Sequence, residues 1–291
     1  MKPAGFSFHR PRTLNEALDL LAAHGDTAKL IAGGQSLVPV MNMRLAAPAE
    51  LIDINDLPDL AEIRYQGEFV EVGALTRHHQ LAESELVRSR CPLLAQAAAT
   101  IGHYAIRQRG TIGGSLAHAD PTAQLPLIAV TLSAEIDIAS SRGRRTLSAA
   151  DFFLSVMTTA LEPDEIVVAI RFPVMVPGEG CAFRFFNRRL SDFAIVAVAA
   201  TITVEKMRIA GLHLGIGGVA PVPLAYVDLC QRFIGQAADS GRVRELAQAV
   251  RDAVEPEDNP RISAEYRREL VQTLTERALT LALDEAKGNA A

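Results

Sequence analysis

Lys29-Leu-Ile-Ala-Gly-Gly-Gln-Ser-Leu37 runs from a short apolar stretch straight into a paired-glycine loop, and Arg109-Gly-Thr-Ile-Gly-Gly-Ser-Leu116 carries a second such pair. Apolar Lys29–Ala32 reads as a buried strand. A second run, Glu50-Leu-Ile-Asp-Ile54, follows about a dozen residues later, so residues 1–55 read as a small α/β unit. Paired glycines let backbone N–H groups converge on an anion, and a neighbouring hydroxyl adds a donor. Each loop alone also reads as a tight turn; the two together suit a diphosphate held between them. Neither has the spacing of a P-loop or of a Rossmann fingerprint.

Upstream of the first loop, Thr13 and Glu16 predict a capping box for a helix over 13–23 with Leu14, Ala17, Leu18 and Leu21 on one face, and Gly25 suits its end. Downstream, Phe69–Gly73, Glu135–Ala139 and Glu165–Arg171 read as strands, Pro92–Ile101 as a helix, Ser140–Arg144 as a hairpin turn, and Ser148 with Asp151 as another helix start. Pro173–Gly180 holds two Pro and two Gly in eight residues, which marks an exposed connector. Beyond it come strands over 182–186, 194–204 and 207–216, with Glu205-Lys206 as a tight turn, then helices over 225–234, 241–254 and 263–286. The expected architecture is α+β in three parts: an N-terminal α/β region (1–55), a middle α+β region (56–176) and a C-terminal antiparallel sheet with helices (177–291).

The 291 residues are 49% hydrophobic and 22% charged with a net charge of −5, and their Lys and Arg are interspersed with acids. Such a surface lacks the basic patch that nucleic-acid binding needs. No apolar run reaches the roughly 20 residues of a membrane span, and the N-terminus lacks the apolar core of a signal peptide, so a cytoplasmic protein is expected. Cys91, Cys181 and Cys230 are too scattered for an iron–sulfur or zinc site and read as small buried hydrophobes. His78, His79, His103 and His118 read as surface or satisfied loop histidines. The serines after the glycine pairs have no sequence-local base, so neither a catalytic residue nor a metal site is expected in this chain.

The motifs Ala32-Gly-Gly-Gln-Ser-Leu37, Met43-Arg-Leu45, Leu51-Ile-Asp-Ile54, Ile101-Gly-His103 and Arg107 to Pro121 are joined by Asp151-Phe-Phe153, Leu161 to Ile166, Arg188 to Ala194, Gly217-Gly218 and Ser263 to Arg268. In this order they resemble the FAD-binding medium subunit of molybdenum hydroxylases, such as carbon monoxide dehydrogenase and xanthine dehydrogenase. The resemblance implies a p-cresol methylhydroxylase-type FAD-binding fold, with FAD extended between the first two regions. It implies cofactor contacts from Ala32, Gly33, Gly34, Gln35, Ser36 and Leu37 and from Thr111, Ile112, Gly113, Gly114 and Ser115, the diphosphate being held by backbone amides. Ile101 and Ile166 would pack near the flavin or adenine, Gln124 would reach the ribityl chain, and Phe193 would lie beside the isoalloxazine. Read without the family, Phe193 is an ordinary strand Phe. Phe185 stands where many relatives have Lys, which should lower the flavin's reduction potential. Gln124 replaces an acid and Ser191 a Gly. The implied partners are a large molybdopterin subunit and a small [2Fe–2S] subunit, in a heterotrimer that doubles. The alternative is a non-catalytic scaffold subunit of the same fold with weak or lost FAD binding.

Overall fold

A computed structural model describes residues 2–289. The N-terminal region is a parallel sheet of β1 (Ser7–His9), β2 (Ala28–Ile31) and β3 (Glu50–Asp53) in the order β1-β3-β2, with helices α1 (Leu14–His24) and α2 (Leu37–Asn42). Helix α1 starts where expected, with the Thr13 hydroxyl accepting the Glu16 N–H at 3.2 Å. Such a cap contributes about 1 kcal/mol. The Glu16 carboxylate reaches back to the N–H of Arg12, at 2.7 Å, so the reciprocal bond falls one residue before the cap. Gly25 leaves the helix at φ +50°.

In the middle region come β4 (Ile63–Gln66), β5 (Phe69–Gly73), α3 (His78–Glu83), α4 (Glu85–Arg90), α5 (Pro92–Ala99), α6 (Tyr104–Arg107), α7 (Ile112–His118), α8 (Gln124–Thr131), β6 (Glu135–Ser140), β7 (Gly143–Ser148), α9 (Ala149–Phe152), β8 (Phe153–Ser155), β9 (Thr158–Thr159) and β10 (Ile166–Pro173). Its main sheet is antiparallel in the order β4-β5-β10-β6-β7. The C-terminal sheet, β11 (Glu179–Phe186), β12 (Val196–Glu205), β13 (Arg208–Gly217) and β14 (Leu224–Ala225), is also antiparallel. Helices α10 (Val227–Gln231), α11 (Ser240–Ala253) and α12 (Ala264–Asn289) follow it. The β12–β13 turn centres on Lys206-Met207, one residue later than the sequence suggests. Both take positive φ (48° and 61°), and Glu205 already pairs with Arg208. A two-residue hairpin turn whose twist matches the strands demands that conformation.

Apolar interiors cross the borders between regions. Ala17, Leu18, Leu21 and Ile52 share a core with Leu75, Ala139, Ile166 and Val168 of the middle region. Helix α8 is buried at every position and packs against α5 and α7 as well as β12 and β13. Gly215 permits that approach, since a Cβ there would lie 1.9 Å from the Thr131 hydroxyl. Helix α12 lies over β11, its Ala282 carbonyl meeting Gly180. The Glu285 carboxylate accepts the Cys181 N–H at 2.7 Å, and the Gln96 side-chain oxygen accepts the Phe183 N–H at 3.1 Å. All three cysteines are free and buried as expected, and burial pushes the thiols of Cys91 and Cys230 up to about 12. Among the described residues no helix is long and apolar enough to cross a membrane.

Candidate functional site

The first glycine loop leaves the C-terminal end of β2 and turns into α2, and the second lies between α6 and α7; the fold brings them into contact. At Gly33 a Cβ would lie 2.2 Å from the Arg109 carbonyl oxygen and 2.9 Å from the Gly110 Cα, so only glycine fits. Gly34 has φ +70°. A cleft of about 390 Å³ opens here, lined by Ala32, Gly33, Gly34, Gln35, Asn55 and Arg109 among others. Among the described residues no hydrogen bond engages the N–H groups of Gly33, Gly34, Gln35, Ser36 or Leu37. A run of free amides in a cleft that Arg109 also lines is a donor set suited to phosphate oxygens.

The second loop has spent more of its amides. Ile112 donates to the Thr76 carbonyl at 3.1 Å, Gly113 to that of Ala74 at 2.8 Å and Ser115 to that of Thr111 at 3.0 Å. The Gly114 N–H bonds the Thr111 hydroxyl at 3.1 Å. What Thr111–Ser115 can offer a ligand is therefore the Thr111 N–H, the hydroxyls of Thr111 and Ser115, and a shared Gly114 N–H. This is a narrower set than the backbone amides of all five residues.

Three residues that sequence reasoning passed over, or read as surface groups, stand beneath the loops. Arg77 donates from Nη1 to the Arg109 carbonyl and from Nη2 to the Asn55 side-chain oxygen at 2.6 Å. Asn55 in turn donates to the Ala32 carbonyl at 2.8 Å and to Asp53 at 2.5 Å. His78 is buried rather than at the surface. Its Nε2 lies 3.0 Å from the Thr111 carbonyl and 3.1 Å from the Ser115 hydroxyl. A carbonyl only accepts, so Nε2 carries the proton, and Nδ1 is buried without a partner. The ring lies against Gly110, where a Cβ would come within 2.6 Å of it.

Burial pushes His78 down to about 4, with the positive charges of Arg77 and Arg107 acting in the same direction and the bond to Thr111 opposing them. The folded protein therefore keeps His78 neutral while the unfolded chain protonates its imidazole below about pH 6.5. Stability from this group is complete above that pH and falls on acidification, by about 3 kcal/mol at pH 4. Denaturant unfolding of the wild type and of His78→Gln at pH 7 and pH 4 checks this. The wild type should lose that much more on acidification than the variant, and equal losses would refute it.

The other residues expected to contact the cofactor lie outside this cleft. Ile101 is half-buried against the middle core, and Ile166 is fully buried with Leu75 and Ala139, so its side chain is a core element. Gln124 is buried at the first position of α8. Phe193 is 64% exposed between β11 and β12, while Phe185 stacks on Phe183 with ring centroids 5.6 Å apart. None of these residues lines the cleft at Gly33. Ser191 takes φ +67°, the conformation a Gly would adopt freely. Away from the loops, His9, His24 and Glu50 come together, with His9 bonded to Glu50 at 2.7 Å; no sequence spacing hinted at this.

Residues 4–175 match the family model of the FAD binding domain in molybdopterin dehydrogenase, and residues 181–282 match the CO dehydrogenase flavoprotein C-terminal domain. The chain is 36% identical to the alpha subunit of the 6-hydroxypseudooxynicotine dehydrogenase complex of Paenarthrobacter nicotinovorans, over 99% of this chain and 97% of the relative. It is also 36% identical to the carbon monoxide dehydrogenase medium chain of Hydrogenophaga pseudoflava, over 97% and 98%. A solved structure of carbon monoxide dehydrogenase from the same organism superposes with a TM-score of 0.94 at 36% identity, covering 98% of this chain and 99% of that one. Sequence motifs, fold and glycine loops agree: the chain belongs to the FAD-binding subunits of the molybdopterin dehydrogenases, oxidoreductases of the molybdenum hydroxylase family.

Proposed function

We propose that this chain is the electron-transfer subunit of a multisubunit molybdenum hydroxylase, holding the FAD diphosphate between its two glycine loops. The observation that carries the reading is the contact of Gly33 with Arg109 beside the free amides of Gly33 to Leu37. When bound, FAD supplies redox chemistry in one- and two-electron steps, linking [2Fe–2S] clusters of a small partner subunit to a terminal acceptor. The protein's own task is to bind and orient: amides of 33–37 and the Arg109 cation meet the phosphates, and the Thr111 and Ser115 hydroxyls extend the donor set. Substrate hydroxylation falls to a large molybdopterin subunit, in a doubled heterotrimer in the cytoplasm. Relatives named as a medium chain and as a subunit of a dehydrogenase complex support such an assembly.

The purified chain should be yellow, with flavin near one per chain, and chemically reduced [2Fe–2S] partner subunit should bleach that flavin in a stopped-flow mixing experiment. Colourless protein that takes up no added FAD would instead establish the scaffold reading.

A further inference from the structure

We propose that Arg77, His78 and Asn55 form one brace beneath both glycine loops, positioning residues that take up the loops' carbonyl oxygens so that the N–H groups of Gly33 and Thr111 remain for the diphosphate. This rests on the diphosphate reading above and assigns residues that the family motifs do not mark. Three consecutive carbonyls of the second loop are each held: Arg109 by the Arg77 guanidinium, Gly110 by the His78 backbone N–H at 3.0 Å, and Thr111 by His78 Nε2 at 3.0 Å. In the first loop the Ala32 carbonyl is held by Asn55 at 2.8 Å, and the 2.6 Å bond from Arg77 to Asn55 joins the two halves. A peptide's C=O and N–H point in opposite directions, so tying back the Ala32 and Gly110 carbonyls turns the Gly33 and Thr111 N–H groups the other way; the N–H groups opposite the Arg109 and Thr111 carbonyls are spent on Ile106 and Thr76, and there the brace only removes partial negative charges that would repel an anion.

The chemistry of each member suits that task. A guanidinium is a planar fork with donors in fixed directions, so one side chain sets the spacing between Asn55 and Arg109; an ammonium is a point charge without that geometry. Neutral His78 bonds a carbonyl without adding a buried charge beside the half-buried guanidinium of Arg77. Its orphaned Nδ1 is a standing cost in stability, of the kind that persists at functional positions. The fit leaves little slack, because the Cβ position of Gly33 is 2.2 Å from the very carbonyl that Arg77 holds.

The test titrates the deflavinated full-length chain with FAD and, separately, with ADP, which presents a diphosphate without a flavin. Arg77→Met should weaken both ligands by a common factor of about 10 to 100, the worth of a charge-assisted hydrogen bond. Combining it with Asn55→Ala should add less than the product of the single effects, since the bridge is lost once. His78→Gln, which keeps a donor near Nε2, should bind better than His78→Phe. Melting of each apo variant is measured alongside. Lower melting points with unchanged affinities of the folded proteins would make these residues merely structural and overturn the brace, as would a loss for FAD with none for ADP. A wild-type chain that binds neither ligand would overturn the diphosphate reading itself. Should Arg77→Met fail to fold, Arg77→Lys carries the same comparison with the charge retained.

Discussion

Gly33→Val is expected to leave the chain with less than about a tenth of its FAD. The new Cβ would sit 2.2 Å from the Arg109 carbonyl oxygen and 2.7 Å from its carbon, and neither atom belongs to a side chain that can swing away. The loops must part by roughly 1 Å to restore van der Waals distance, at a cost of about 1–3 kcal/mol in the apo protein. Parting them also pulls Arg109 away from the free amides of residues 33–37, so affinity suffers more than stability. Gly114 makes a useful contrast: a Cβ there meets only the Thr111 hydroxyl oxygen, at 2.8 Å, so the clash is with one side-chain atom rather than with backbone. Flavin absorbance per chain after gel filtration decides the matter, and retention near one per chain in Gly33→Val would show that the two loops do not act as a clasp.

The second large effect lies in the C-terminal sheet. In Gly180→Val the Cβ would fall 2.1 Å from the Ala282 carbonyl oxygen and 2.5 Å from the Ala286 N, both backbone atoms of α12. The helix has to lift off β11, exposing the apolar face on which Leu279, Ala282 and Leu283 pack against Val198 and Ala200. A loss of about 3 kcal/mol or more is expected, at the upper end for overpacked sites. Denaturant unfolding should show a lower midpoint, and amide exchange should speed up along α12. An unchanged midpoint would mean that the helix slides on the sheet more freely than its packing implies.

Local chemistry explains which parts were legible in advance. The Thr13 cap, the strand from Ala28 to Ile31, the hairpin from β6 to β7 and the long C-terminal helices all carry their signals within a few residues. β1 does not: Ser7-Phe8-His9 becomes a strand only because it lies parallel to Glu50–Ile52, more than forty positions away in the chain. β4, β8 and β9 escaped for a similar reason, being edge pairings of only two to four residues, so that even the alternation of Ile63-Arg-Tyr-Gln66 is too brief to announce a strand. At the candidate site the glycines were readable, because glycine is a direct statement about space around the backbone. Arg77, His78 and Asn55 were not. Their roles depend on carbonyls at positions 109–111 and 32, and no spacing within α3 or after β3 encodes such contacts. His78 misled most, since a polar pair at a helix start reads as solvated until the tertiary fold buries one of its two members.

The bonds that Gln96 and Glu285 make to β11 bear on the life of the chain before assembly. β11 is the outer strand of its sheet, and its outward N–H groups at Cys181 and Phe183 are occupied by side chains from α12 and α5. At the opposite margin β14 has only two residues. An open strand margin is a template for aggregation, and blocking by side chains or by brevity removes it. A newly made subunit can thus await its partners at appreciable concentration without zipping to copies of itself through this sheet.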